Sequence, residues 1–154
     1  MKQSILVFLF SLVVISCNKT AESAHSAKNL TDTLLQKNGQ VLTYRKPAEE
    51  LVSLKRDQTV YNGDYQVRIR KVAEYYIASS QQNLLDFHKS KADSNLGFSF
   101  EENDWEGVNY TQIGIFTKVG SNMSTLQWLF YEPKSQKLYE FDLNTKKLQE
   151  FPLR

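Results

Sequence analysis

The stretch around Trp105 combines the residue types best suited to chemistry. Between Asp93 and Glu106 the chain carries five acidic side chains and no basic one. Clustered oxygen atoms suit hard cations such as Ca²⁺. Aligned with an EF-hand loop, however, this stretch has Ile113 where the bidentate glutamate must stand. We therefore assign no metal site and expect no cofactor.

Trp105 lies between Asp104 and Glu106, where the local pattern predicts a loop. Its ring offers a flat stacking surface, and the flanking carboxylates accept hydrogen bonds from sugars or cations. Asp104, Trp105 and Glu106 are therefore the candidate ligand-binding residues. The alternative is that Trp105 covers the core. Its replacement by alanine would then cost about 3–5 kcal/mol, against about 1 kcal/mol or less for a recognition residue.

No catalytic residue is assigned. His88 is the only histidine of the expected folded part, and Asp86, two positions away, would point elsewhere on a helix. Nucleophile-elbow, Walker-type and dinucleotide-binding glycine patterns do not occur in the sequence. Two carboxylates far apart in sequence can still meet in a fold, so glycosidase chemistry stays open at this point.

Cys17 is the only cysteine of the chain, and the residues before it have the pattern of a signal peptide. Lys2 provides a positive start, and the eleven residues from Ile5 to Ile15 include only one polar side chain, Ser11. Eleven helical residues span roughly 16 Å. A bilayer core needs about 20 residues, so this stretch is too short to cross one.

Val14-Ile15-Ser16-Cys17 resembles the lipobox of bacterial lipoproteins, in which an aliphatic, a variable and a small residue precede an obligatory cysteine. The resemblance covers residues 1–17 only. It implies that residues 1–16 are removed, that the Cys17 thiol carries a diacylglyceryl group and that the new amino group is often acylated. Two or three acyl chains anchor a protein stably in a membrane. Asn18, where the inner-membrane retention signal has aspartate, implies the outer membrane.

With lipid on Cys17, the folded part has no thiol, which excludes disulfides, thiolate nucleophiles and cysteine-based zinc sites. Residues 18–29 hold no apolar side chain larger than alanine. We predict that they form a flexible tether spanning roughly 20 Å. Residues 30–154 then form one domain, which is long enough to bury a hydrophobic core.

The charge balance argues against nucleic acid as a partner. The chain has 19 basic and 17 acidic residues, and removal of Lys2 with the leader leaves 18 against 17. No run rich in lysine or arginine supplies the concentrated positive field that phosphate binding requires.

Two interpretations fit the start of the domain. Leu34-Leu35 and Val41 to Tyr44 flank Asn38-Gly39, a dipeptide that favours tight hairpins. Alternatively, residues 28–37 form a short helix that ends at Gly39. Further along, Pro47-Ala48-Glu49-Glu50 predicts the start of a short helix, which two basic residues at positions 55 and 56 would close.

Residues 65–91 fit a helix better than a strand, because the helical period aligns more apolar residues over a longer window. The aligned face comprises Tyr65, Ile69, Val72, Ala73, Tyr76, Ile77, Leu84 and Phe87. Asn62-Gly63 is a second hairpin-favouring dipeptide, and Asp64 is suited to cap the helix. Ser79 and Gln82 predict a break with a new capping box. One helix, two helices or part strand are all compatible with this segment.

From Gly97 onward the period changes to two, which indicates strands. We predict Val108–Lys118, Thr125–Glu132, Gln136–Leu143 and Lys146–Phe151, with Gly97–Phe100 as a candidate fifth. Short connections force neighbouring strands to be antiparallel. The expected class is α+β, with helices in the N-terminal half packed on one face of a C-terminal antiparallel meander. That order resembles cystatin-like and nuclear-transport-factor-2-like domains in architecture only.

Faces of the predicted strands are rich in aromatic residues. Trp128 and Phe130 share a face with Leu126, and Tyr139 and Phe141 share one with Leu143. Tyrosines could line an aromatic groove, although strand preference and half-burial account for most of them. The tyrosines concerned are Tyr61, Tyr65, Tyr75, Tyr76, Tyr110, Tyr131 and Tyr139.

The leading functional hypothesis is a non-enzymatic envelope lipoprotein that binds a protein partner or a small ligand, with immunity-type and inhibitor lipoproteins as a subclass. The first alternative is a small hydrolase acting on cell-wall or glycan material. The second is a structural or accessory subunit of an envelope complex. A concave, polar sheet would favour ligand binding or catalysis, whereas a flat, exposed aromatic face would favour a protein partner.

Overall fold

The computed structural model describes residues 30–90 and 95–154, so the leader, Cys17 and the predicted tether lie outside the described residues. The described chain is α+β, as predicted. Its elements in chain order are β1 (Thr31–Leu35), β2 (Val41–Arg45), β3 (Val52–Lys55), α1 (Gly63–Ser79), α2 (Asn83–Lys89), β4 (Asn95–Trp105), β5 (Val108–Val119), β6 (Asn122–Glu132), β7 (Lys137–Asp142) and β8 (Lys147–Phe151).

Strands β1 and β2 form a separate two-stranded hairpin, which confirms the first interpretation of this region. Leu34 pairs with Leu42, and both side chains are buried. Gly39 in the turn has a positive φ of 82°, a conformation that costs glycine little because it has no Cβ. The Asn38 side chain accepts a hydrogen bond from Gln40 N at 2.9 Å. The turn dipeptide therefore sets the local structure here.

The short helix predicted from Pro47 is wrong. Instead, β3 follows at Val52–Lys55 and pairs in parallel with the start of β4, with Val52 opposite Gly97. Leu51, immediately before β3, is buried in the core. Pairing with a distant strand and burial of Leu51 outweigh the helical preference of the preceding acidic residues, because intrinsic propensity is worth only fractions of a kcal/mol per residue.

Residues 65–91 contain two helices rather than one. Asn62 caps α1, since its side-chain oxygen accepts a hydrogen bond from Tyr65 N at 2.7 Å. Asn62-Gly63, although a hairpin-favouring dipeptide, therefore begins a helix, and the prediction that Asp64 caps this helix is wrong. Ser80 has extended backbone and ends α1, as the predicted break requires. The expected capping box does not form, because Gln82 makes no side-chain capping bond.

The break between the helices changes which residues face the core. Leu85 of α2 is 1% exposed, whereas Leu84 and Phe87 are 51% and 52% exposed. The face predicted from one continuous helix is thus correct for Ile69, Val72, Ala73, Tyr76 and Ile77 and wrong after Ser80. Ser80 and Gln82 between the helices have extended backbone, so α2 does not continue the helical phase of α1.

The main sheet has six strands in the order β3-β4-β5-β6-β7-β8, and β4 to β8 form the predicted antiparallel meander. The helices connect β3 to β4 in the middle of the chain, so their predicted place in an N-terminal half before the sheet is wrong. Buried residues of α1 and α2 form one core with Phe98, Ile113 and Leu129 of the sheet. We call this side the helix-covered face and the other side the open face.

Candidate functional site

Five aromatic rings, which we call the aromatic cluster, contact one another on the open face. They are Trp105, Tyr110, Phe130, Tyr139 and Phe141. The Trp105 ring centroid lies 5.5 Å from that of Phe130 and 5.4 Å from that of Phe141. Tyr110 meets Tyr139 at 5.9 Å with nearly perpendicular rings. Such edge-to-face geometry is the favoured arrangement for aromatic pairs.

Strand register brings these rings together. Phe130 of β6 lies directly opposite Tyr139 of β7. Trp105 ends β4 and pairs with Val108, which closes the hairpin to β5. The two residues between them, Glu106 and Gly107, have φ values of 53° and 79°. Two positive φ values define the type I′ turn that suits tight hairpins, so the turn fixes where Trp105 sits.

The candidate residues Asp104, Trp105 and Glu106 do not converge on one surface. The stretch predicted to be a loop is the end of β4 and a two-residue turn, so the loop prediction is wrong. Successive side chains of a strand point to opposite faces, and Asp104 therefore lies on the face away from Trp105. Asp104 Oδ1 accepts a hydrogen bond from Gly107 N at 3.0 Å and so supports the turn. Glu106 is exposed in the turn.

Burial in the aromatic cluster decreases from its centre to its edge. Phe130 is 3% exposed and Tyr110 is 8% exposed, so these two rings are packed beneath their neighbours. Trp105, Tyr139 and Phe141 are half-buried. No described helix lies over these three rings. Trp105 therefore covers other aromatic rings, and its remaining surface faces outward.

The tyrosine hydroxyl groups of the aromatic cluster make no hydrogen bond to any described residue. Burial raises the pKa of Tyr110, and the neighbouring Tyr139, Glu132 and Glu106 raise it further. Burial also raises the pKa of Tyr139, with Lys137 acting in the opposite direction. Both phenols therefore stay protonated at neutral pH and can donate a hydrogen bond to a bound molecule.

The electrostatic surroundings of these tyrosines are mostly acidic. Carboxylates of Glu106, Glu132 and Glu150 act on Tyr110 or Tyr139. The ammonium group of Lys137 is held by Glu150 at 2.8 Å. Lys146 lies 5.9 Å from the Phe141 ring centroid and places one further cation at the edge. The Lys137–Glu150 pair is neutral, so the rim is left with the carboxylates of Glu106 and Glu132 and the ammonium group of Lys146.

A second aromatic site lies further along the open face. Trp128 packs over Gly114, where an added Cβ would come within 2.7 Å of the indole ring. The Arg56 guanidinium lies 5.5 Å from the Trp128 ring centroid, within cation–π range. The absence of a side chain at Gly114 therefore lets Trp128 lie close to the sheet.

Tyrosines of the core on the helix-covered side differ, because their hydroxyl groups are bonded inside the protein. Tyr44 donates to Glu74 at 2.8 Å, and Tyr76 donates to Glu140 at 2.6 Å. Arg68 Nε donates to the Tyr131 oxygen at 2.6 Å. These bonds satisfy polar groups that would otherwise be buried without partners.

A cavity of about 420 Å³ lies between the β1–β2 turn and the C-terminal strands, and a smaller one of about 370 Å³ is lined by Glu140 and Asp142, among other residues. That Glu140 and Asp142 line the same cavity is relevant to the hydrolase hypothesis, which needs two carboxylates. Glu140 accepts from Tyr76, however, and Asp142 Oδ1 accepts from Asn144 N at 2.8 Å. Each carboxylate therefore already holds a structural hydrogen bond.

The remaining candidate features of the sequence are potential metal ligands, His88 and membrane-spanning helices. Residues 30–90 and 95–154 contain no group of three potential metal-ligating side chains. His88 is half-buried on α2 and meets the Phe87 ring at 5.3 Å. Neither α1 nor α2 is long and apolar enough to cross a membrane. Cys17 lies outside the described residues.

Sequence reasoning did not name Phe130 and Phe141 as site residues. The signal was present, because strand alternation placed Phe130 with Trp128 and Phe141 with Tyr139. What was missing was the register that brings them beside Trp105. A bulge between Ile115 and Phe116 also leaves Leu126 unpaired, and Leu126 packs against the core rather than with Trp128 and Phe130.

Comparisons with family models, curated proteins and solved structures found no match to this chain.

Proposed function

We propose that this chain is the precursor of an envelope lipoprotein, anchored by lipid on Cys17, whose domain is a non-enzymatic binding module. We further propose that the open face docks a protein partner through the aromatic cluster. The observation that carries this proposal is that Trp105, Tyr139 and Phe141 lie half-exposed on a sheet face without a described helix over it.

The anchor rests on the leader and on Val14-Ile15-Ser16-Cys17. Asn18 favours the outer membrane as its location. The predicted tether of residues 18–29 would let the domain sample roughly 20 Å from the lipid. That reach suits a module that meets its partner at a membrane surface.

The make-up of the aromatic cluster matches that of protein interfaces. Such interfaces have aromatic residues at the centre and charged residues at the rim. Here the centre is Phe130 with Trp105 and Tyr139 around it, and the rim is mainly acidic. A partner with basic side chains would complement this rim, since opposite charges favour association. An immunity-type or inhibitor role would use such a surface to block an enzyme at the envelope.

Intact-mass analysis of the protein extracted from membranes tests the anchor. We expect a chain that begins at Cys17 and carries acyl mass, and we expect Cys17→Ala to abolish the added mass. An unmodified mature chain that begins elsewhere would refute lipidation. The wild-type mass alone decides whether the protein is lipidated, so the test does not depend on whether the Cys17→Ala variant folds.

Site-directed photo-cross-linking tests the docking surface. A photoreactive phenylalanine analogue replaces Tyr139 on the open face, and the control carries it at the exposed Val67 of α1. We expect a defined protein adduct from position 139, lost with Trp105→Ala, and none from position 67. Equal adducts at both positions, or none at position 139, would refute docking through the open face. Lipidation would then still stand on its own evidence.

A further inference from the structure

A cavity on the helical side of the molecule has features of a ligand site that the aromatic cluster does not use. Its volume is about 520 Å³, within the range of roughly 300–1,000 Å³ typical of small-molecule sites. Its apolar part includes Leu51, Ile77 and Leu96, which are 4%, 2% and 9% exposed. Pro47 and Ala78 also line it. We call it the basic-rimmed cavity.

Among the described residues that line this cavity, three are cationic and one, Glu49, is acidic. Arg45 and Lys46 come from the end of β2, whereas Lys89 comes from the end of α2. Cations therefore approach the cavity from two separate elements. Charges of one sign that converge on a cleft raise the local concentration of anions there.

The three cations differ in how far they are already satisfied. Lys89 binds Asp86 at 2.5 Å and the Ser80 carbonyl at 3.1 Å. Lys46 is 3.9 Å from Asp32. The Arg45 guanidinium has no ion pair or hydrogen bond to a described residue. Arg45 is therefore the cation best placed to bind a carboxylate or phosphate, which guanidinium recognises through two parallel hydrogen bonds.

We propose that the basic-rimmed cavity binds an amphiphilic anion, with an apolar chain against Leu51 and Ile77 and a carboxylate or phosphate at Arg45. A purely polar anion would leave the apolar wall unused, and a neutral apolar ligand would give the Arg45 guanidinium no partner. Lys46 N donates to the Leu30 carbonyl at 2.7 Å. The cavity thus lies beside the point where the chain leads towards Cys17. A free fatty acid and a lipid headgroup share the required chemistry, and the site does not depend on the docking surface.

Photoaffinity labelling of the full chain in neutral detergent tests this site, with a photoreactive decanoate as probe. We expect labelled peptides to contain residues that line the cavity and unlabelled decanoate to compete at least about tenfold better than decanol, because decanol lacks the charge. Phosphatidylglycerol dissolved in the same detergent micelles is a second competitor, and it distinguishes the sources. Stronger competition by phosphatidylglycerol than by decanoate assigns a lipid headgroup, and weaker competition assigns a free fatty acid.

Three variants make the test specific. Ala78→Trp, at an exposed lining position of α1, should fill the cavity and abolish labelling. Arg45→Gln should weaken decanoate competition about tenfold and leave decanol unchanged. Lys147→Gln on β8 is the matched control for loss of one positive charge and should label as the wild type does. Thermal unfolding verifies that each variant is folded. Labelling that survives Ala78→Trp, or decanol competing as well as decanoate, would overturn the proposal.

Discussion

The two sides of the six-stranded sheet use the same residue types in different ways. In the core on the helix-covered side, Tyr44 of β2, Tyr76 of α1 and Tyr131 of β6 have hydroxyl groups bonded to charged side chains of the protein. On the open face, Tyr110 and Tyr139 contact other rings, and their hydroxyl groups have no partner among the described residues. Whether helices and the hairpin cover that side of the sheet therefore decides whether a tyrosine hydroxyl stabilises the fold or remains available for binding.

The two sides of the sheet should also differ in whether a substitution changes stability or binding. Side chains buried between helix and sheet lose all contact with water, and their removal leaves a cavity. Half-buried rings at the edge of the aromatic cluster lose less on removal, because solvent can replace part of their contacts. We therefore expect substitutions on the two faces to differ in size and in the property that they change.

The largest expected effect is on the helix-covered face. Ile113 is 0% exposed, and Ile113→Ala should lower the free energy of unfolding by about 2–5 kcal/mol. Trp105→Ala should lower it by about 2 kcal/mol or less, because Trp105 is half-buried. Urea denaturation of both variants measures the difference. A larger loss for Trp105→Ala would make Trp105 a core residue and remove the argument for its role in binding.

Gly97→Ala tests how closely β3 and β4 approach. A Cβ at this position would lie 2.5 Å from the Phe116 ring and 2.7 Å from the Val52 carbonyl. Overpacking of this kind costs about 1–3 kcal/mol. Gly63→Ala is the control, because its Cβ would meet no atom within 4 Å. Equal melting temperatures for the two variants would contradict the close pairing of β3 with β4.

Removal of single hydroxyl groups sharpens the comparison. Tyr76→Phe takes a donor from Glu140 and should cost about 1–3 kcal/mol, since it leaves a partly buried carboxylate with fewer hydrogen bonds. Tyr139→Phe removes no bond between described residues and should change stability by less than about 0.5 kcal/mol. Chemical denaturation checks both values. If both changes had the same effect, the distinction between the two faces in hydroxyl bonding would be wrong.

The smallest effect concerns the pH dependence of stability. Burial acts to raise the pKa of Asp32, but hydrogen bonds from Lys71 and Thr33 and the charges of Lys71 and Lys46 lower it below its ordinary value. Because the pKa is lower in the folded state, the contribution is present above the unfolded pKa of about 4. It is lost as the pH falls through the folded pKa.

The comparison of wild type with Asp32→Asn measures this contribution. Above pH 5 the wild type should be more stable by less than about 1 kcal/mol, and the difference should disappear in acid. Denaturation curves at several pH values provide the test. A difference that grows as the pH falls would contradict the lowered pKa.

Local patterns predicted the elements that depend on local contacts. Asn38-Gly39 with flanking apolar residues gave the β1–β2 hairpin, and the helical period gave α1. The prediction at Pro47 was wrong because β3 is fixed by pairing with a strand more than 40 residues away. The helical face was wrong at Leu84 and Phe87, since the break at Ser80 changes the phase. The pairing of β3 and the orientation of α2 both depend on tertiary packing.

The sequence by itself determined the α+β class, the meander and the Asn38-Gly39 turn, because period-two alternation and turn residues act over short distances. Its leader pattern also predicts the lipid anchor at Cys17. Only the tertiary structure decided that Trp105 joins Phe130 and Phe141 rather than Asp104 and Glu106. The reason is geometric. Neighbours along a strand point to opposite faces, and residues from separate strands meet only when the register is set by the whole sheet.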